Sequence, residues 1–482
     1  MTPIAVLITI AAYFLILFTI SYIAGRKADN EGFFVGNRKS AWYVVAFAMI
    51  GSSISGVTFV SVPGMVGVSN FSYLQMVLGF VTGQIIIAFV LIPLFYRMNL
   101  VSIYEYLESR FGTSSYKTGA WFFFISKMLG AAVRLFLVCL TLQFLVFEPF
   151  HMPFILNVIL TVTLVWLYTF RGGVKSLIWT DSLKTFCLVV SVVLCIYYIA
   201  TDLRLSFTEM ISSISDSSLS RMFFFDDVND KRYFFKQFLA GVFTMIAMTG
   251  LDQDMMQRNL SCKNFKDSQK NMITSGISQF FIILLFLMLG VLLYIFTSRQ
   301  GIANPAKSDE LFPMIATGGY FPAIVGILFI IGLISAAYSA AGSALTALTT
   351  SFTVDILGSK GKTEKTVQKI RKRVHIGMAV VMGIVIFVFN LLNNTSVIDA
   401  VYILASYTYG PILGLFAFGI FTKKQVRARY IPLVAILSPI LCFILQKNSE
   451  TWFNGYQFSY ELLIFNALFT FIGLCLLIKK TN

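Results

Sequence analysis

The chain has 482 residues, of which 57% are apolar and only 12% charged, with a mean hydropathy of +0.80. Soluble domains carry roughly 25% charged residues, so this composition excludes a soluble globular fold and indicates a polytopic membrane protein. A formal net charge of +15 is what such proteins collect in cytoplasmic loops, and no nucleic-acid partner is expected.

In chain order, apolar windows of bilayer-crossing length fall at about 3–24, 41–67, 72–96, 119–147, 153–170, 177–200, 233–250, 272–296, 322–350, 376–392, 398–421, 430–446 and 461–478. The first window lacks a basic leader and is too long for a signal peptide, so it reads as a retained span. Thirteen spans put the termini on opposite sides of the membrane. With the N-terminus outside, the loops expected in the cytoplasm hold 26 Lys and Arg, against 7 in the outer loops. The positive-inside rule favours that orientation, with the C-terminus cytoplasmic and the protein in the inner (plasma) membrane.

The second window, Val45 to Asn70, is a poor lipid-embedded helix. Gly51, Ser52, Ser53, Ser55, Gly56, Thr58, Ser61 and Pro63 crowd its middle. In a bilayer such backbone is tolerated where it lines a cavity, so the segment predicts a discontinuous helix at a binding site. Close helix packing through small residues is the plainer alternative. Arg134, deep in LGAAVRLFLVCL, predicts a functional or paired charge, because a cation in mid-membrane costs at least about 2.5–3.5 kcal/mol. Ala336, Ser339, Ala340 and Ser343 follow i, i+3, i+4, i+7 spacing and share a helix face. Asp181 and Lys184 stand one turn apart. Six unpaired-looking cysteines predict no disulfide framework, and two histidines leave little for an imidazole metal site. There is no phosphate-binding G-x-x-x-x-G-K loop and no nucleophile motif, which argues against an ATP-driven pump and against an intramembrane enzyme.

Four segments, in order along roughly 40–420, resemble the sodium/solute symporter family. They are YEYLESRFG (104–112), FRGGVKSLIWTD (170–181), GLDQDMMQRNLSCKN (250–264) and ISAAYSAAGSALTALTTSFTVDIL (334–357). The look is nearest to bacterial, sialic acid-type members. The resemblance implies an all-α fold of the leucine-transporter type, with five-plus-five inverted repeats. On this chain it implies a first helix and loop at 1–40, repeats at 41–200 and 233–421, an extracytoplasmic loop at 201–232 and two C-terminal helices at 422–482. It implies a solute:cation symporter, not an enzyme, importing an anionic or polyhydroxylated small solute such as a sialic acid or sugar acid by alternating access. A membrane sensor keeping the fold is the alternative. Carried over by position, the sodium ligands are the carbonyls of Gly51, Ile54 and Ala336 and the hydroxyl of Ser339; Ala340 removes a second hydroxyl expected there. Ser55, Thr58 and Arg134 fall on positions that hold a carboxylate, with Gln84 and Phe243 as further lining residues. Lys184, paired with Asp181, is expected to fill or block the sodium site, leaving transport sodium-independent or proton-linked. Snorkelling of Lys184 to the membrane edge is the rival reading. The solute's identity and the oligomeric state are not legible.

Overall fold

A computed structural model of the chain describes residues 3–25, 42–98, 103–169, 174–260, 262–357, 363–392 and 397–479. Among the described residues the secondary structure is all helical apart from one isolated bridge between Val426 and Ile478. Among the described residues, eight helices are long and apolar enough to cross a membrane, and a bent pair passes the same test together. Four shorter apolar helices accompany them, at Ile4–Ile16, Phe154–Leu167, Phe234–Gly250 and Leu462–Leu476.

The bent pair is α2 (Trp42–Ser53) and α3 (Gly56–Ser69), turned by 52°; α1 is Pro3–Gly25. The sequence causes the break. Ser55 leaves helical geometry at φ −81°, ψ 164°, and its hydroxyl accepts from Thr58 N (3.2 Å) as the N-cap of α3. Further along α3, the Tyr294 hydroxyl donates to the Gly64 carbonyl (2.7 Å), beside Pro63.

The next helix, α4 (Tyr73–Arg97), contains a π-turn at Ile87–Leu91. A short α5 (Glu105–Phe111) leads to α6 (Thr113–Phe147), which carries both Lys127 and Arg134. Then come α7 (Phe154–Thr169), α8 (Val174–Asp202), α9 (Phe207–Ser215), α10 (Phe234–Met245), α11 (Gln253–Asn259) and α12 (Phe265–Gln300). The chain closes with α13 (Leu311–Thr317), α14 (Ala323–Ser351), α15 (Glu364–Leu392), α16 (Val397–Phe421), α17 (Ile431–Trp452) and α18 (Leu462–Leu476).

Small residues and aromatic rings hold the bundle. A Cβ on Gly79 of α4 would collide with the Phe238 carbonyl, and one on Gly241 of α10 with the Met76 carbonyl. The two backbones therefore touch, as membrane helices do when small residues face each other. Gly79→Val is expected to lower the melting temperature in detergent by forcing α4 off α10, an overpacking that costs about 1–3 kcal/mol. Gly377→Val, where nothing lies within 4 Å, is the control and should melt like the parent. Phe59 is fully buried, stacks on Phe329 (5.2 Å) and meets Phe312 (5.1 Å) edge-on, so it ties α3 to α13 and α14. On the outside, α15 and α17 expose Ile384, Val388, Ile436 and Ile440, the surface expected of lipid-facing helices.

The segment 201–232 is tied down at the α3–α4 turn. Gln75 donates to the Arg232 carbonyl (2.8 Å) and accepts from Phe224 N (3.1 Å). Arg232 donates to Asn70 (2.9 Å) and lies over the Phe224 ring at 4.5 Å. The Arg232 side chain beside Asp230 holds that carboxyl below its ordinary range.

Candidate functional site

A second break falls in the seventh predicted span. α10 runs into a π-turn at Ile246–Gly250, helical geometry stops at Leu251 and Asp252, and α11 restarts at Gln253. π-turns inside helices often mark functional positions. The backbone groups released here find partners. The Leu251 carbonyl accepts from the Tyr104 hydroxyl (2.9 Å), and the Asp252 carboxylate caps α11 by accepting from Met255 N (3.1 Å).

The second break borders a narrow cavity of about 40 Å³. One wall is α6, with Ser126, Lys127, Gly130 and Arg134. The second break supplies Met248, Asp252 and Met255, and α16 supplies residues including Thr408 and Tyr409. Arg134 is half-buried, and among the described residues its guanidinium has no hydrogen-bond or ion-pair partner. It is a cation held in an apolar bundle with its fork unspent.

Lys127, on the same helix, is buried and saturated. Its ammonium donates to Asp252 Oδ1 (3.2 Å) and Oδ2 (3.1 Å) and to Asp254 Oδ2 (3.2 Å). Asp252 also accepts from the Tyr409 hydroxyl (3.0 Å). Asp254 pairs with Arg258 (3.5 Å), four residues on. Arg258 in turn donates to Ser52 Oγ of α2 and to Ser343 Oγ of α14, the latter at 2.6 Å. This buried network joins both broken helices to α6, α14 and α16. It lies on the half of each broken helix that leads to the basic loops, hereafter the basic face.

The expected residues are placed unevenly. Arg134 walls the cavity. Ser55 and Thr58 pair with each other at the first break (Oγ to Oγ1, 3.2 Å) and do not wall it. Phe243 is half-buried on α10, outside the cavity lining. Gln84 is buried elsewhere, against Gly276 of α12, where a Cβ would collide with its amide oxygen. Gly51, Ile54, Ala336 and Ser339 are all buried. The first break sits on α14 at that level: a Cβ at Gly56 would be 3.6 Å from the Ala336 Cβ and 3.5 Å from the Leu333 carbonyl. Ala340, next to Ser339 on α14, brings no oxygen. The side chains of Asp181 and Lys184, on α8, lie outside the described residues.

The sequence alone does not single out Asp252, Asp254 or Arg258 as site residues, and it places Ser343 only on a shared helix face. The signal was present in GLDQDMMQR: two acids two apart, with an arginine four residues after the second. What it lacked was the other half of the pair, Lys127, 125 positions earlier than Asp252.

The family model described as Sodium:solute symporter family matches residues 33–428. The sodium/sialic acid symporter NanT of Aliivibrio fischeri is 25% identical over 459 residues, covering 90% of this chain and 86% of the relative. The sodium/sialic acid symporter SiaT of Proteus mirabilis is 23% identical over 428 residues, covering 84% and 82%. A solved structure of a Na+-coupled sialic acid symporter, in a substrate-bound outward-open state, superposes with a TM-score of 0.81 at 20% identity, over 99% of both chains. That likeness establishes the fold, and the match over most of the length establishes descent: the chain is a multi-pass membrane protein that belongs to the sodium:solute symporter family.

Proposed function

We propose that this protein is a secondary active transporter that imports a small carboxylate-bearing solute, held by Arg134, together with a cation. The observation that carries the reading is Arg134, a guanidinium without a partner among the described residues, in the wall of a cavity at the second helix break. A planar fork of donors suits a carboxylate, and a low-dielectric wall strengthens the bond. Sialic acids and sugar acids carry such a group, and sialic acid is the solute in the names of the two relatives above. In this reading all thirteen apolar segments cross the inner membrane, ten of them as five-plus-five inverted repeats at 41–200 and 233–421. The basic face is then cytoplasmic, by the loop charges.

Sodium is the co-substrate the family implies. The contact of Gly56 with Leu333 and Ala336 supports a site there, because it stacks the open backbone of the first break on α14 near Ser339. Neutral carbonyl and hydroxyl oxygens suit a hard monovalent cation. Ala340 leaves the set one hydroxyl short, so sodium should bind weakly.

The test is uptake of labelled N-acetylneuraminate, gluconate and pyruvate into proteoliposomes under an imposed sodium gradient, and separately under a proton gradient. Uptake of at least one acid with sodium is expected. Ser339→Ala should raise the sodium concentration for half-maximal rate by about tenfold, the effect of losing roughly 1.4 kcal/mol of ligand binding. Ala340→Ser should lower it. Uptake that follows the proton gradient and ignores sodium would sink the sodium assignment while leaving the transporter reading in place.

A further inference from the structure

Lys127 stands seven residues before Arg134, which is two turns and roughly 10 Å along α6 at 1.5 Å per residue. The spacing keeps both on one helix face, and both wall the same cavity. Among the described residues, Arg134 meets the cavity without a partner; Lys127 meets it with three bonds to two carboxylates. Those carboxylates do not depend on Lys127 alone. Without it, Asp252 keeps the Tyr409 hydroxyl and Met255 N, and Asp254 keeps Arg258 and the Ser343 hydroxyl (3.3 Å). A solute carboxylate reaching Lys127 would thus exchange one carboxylate partner for another, a swap that leaves no buried cation unpaired but leaves Asp252 with neutral donors alone, which is what loosens the second break. The cluster also carries three cations, Lys127, Arg134 and Arg258, against Asp252 and Asp254, an excess that one monoanion cancels.

Resting on the reading that Arg134 takes an anion, we propose that Lys127 is a second anion station and the release of the inner gate. The solute carboxylate, first held at Arg134, draws Lys127 off Asp252 and Asp254. The second break then loosens from α6 and, through Arg258, from Ser52 of α2 and Ser343 of α14, and the basic face opens. Lys127 is thereby a positioning residue for the opening step, and Arg134 the residue of first capture.

Cys262 reports the opening. It is buried, three residues past the end of α11, and its carbonyl accepts from the Tyr96 hydroxyl (3.2 Å). Its alkylation by N-ethylmaleimide is followed in detergent, in a Cys475→Ser background because Cys475 is exposed. Without solute, Lys127→Gln should label about tenfold faster than the parent, since the ammonium that ties α6 to both acids is gone. N-acetylneuraminate or pyruvate should accelerate the parent and leave Lys127→Gln unchanged. Arg134→Gln should keep the parent's slow basal rate and lose the response. Equal basal rates in Lys127→Gln and the parent would overturn the lock, and a surviving solute response in Lys127→Gln would overturn the station. An acid that raises the parent's melting temperature without moving Cys262 labelling refutes the relay alone. The absence of any such melting shift refutes the Arg134 reading, and the relay with it. If Lys127→Gln does not fold, Lys127→Gln with Asp252→Asn keeps the charge balance and carries the same expectations.

Discussion

Arg134→Gln should abolish high-affinity binding of the acidic solute while leaving the protein folded. A bidentate guanidinium–carboxylate pair comprises two charge-assisted hydrogen bonds, each contributing about 1.5–3 kcal/mol. Losing both weakens binding by at least roughly 100-fold. Arg134→Lys should fall between, because lysine keeps the charge and lacks the fork. The fold should tolerate either change, because the guanidinium has no partner among the described residues to strand. Titration of the melting temperature with N-acetylneuraminate and pyruvate checks this, since a ligand of the folded state raises it. Parent-like binding by Arg134→Gln, or a neutral solute, would refute the carboxylate role.

Lys127→Ala should have the opposite profile. It removes the cation shared by Asp252 and Asp254, whose side chains are 4% and 20% exposed. Breaking a buried ion pair from one side destabilises by about 3–5 kcal/mol, because the remaining charge has lost its counter-charge. Arg258 relieves Asp254 in part, at 3.5 Å. Asp252 is left with only the neutral donors Tyr409 and Met255 N, so it bears most of the loss. Lys127→Ala with Asp252→Ala should therefore recover part of the stability. The measurement is thermal unfolding in detergent, comparing Lys127→Ala with Arg134→Ala. These two cations are on the same helix and wall the same cavity, and equal melting temperatures would show that the network contributes nothing to the folded state.

What the sequence determined alone follows from local chemistry. Long apolar windows specify membrane helices, because only a helix satisfies its own backbone in lipid. The Ser/Gly/Pro run of 51–63 specified the first break, because the cap residue Ser55 and its acceptor role are encoded within four residues. Arg134 was legible because a lone cation in an apolar window has few explanations. The order of four segments was enough to indicate the family. The second break was only half legible. Thr249 and Gly250 are weak helix formers, but the helix stops at Leu251 and Asp252 for reasons that lie elsewhere. Tyr104, 147 positions away, takes the freed Leu251 carbonyl, and Lys127 supplies the charge that lets Asp252 act as a buried cap. Gln84 shows the same limit from the other side, because its contact with Gly276 is made only when α4 and α12 meet. Local composition determines where a helix can form or fail. Which charge neutralises which is decided only when the bundle closes, because the energy of a buried pair depends on a distance of a few ångströms that sequence separation does not encode.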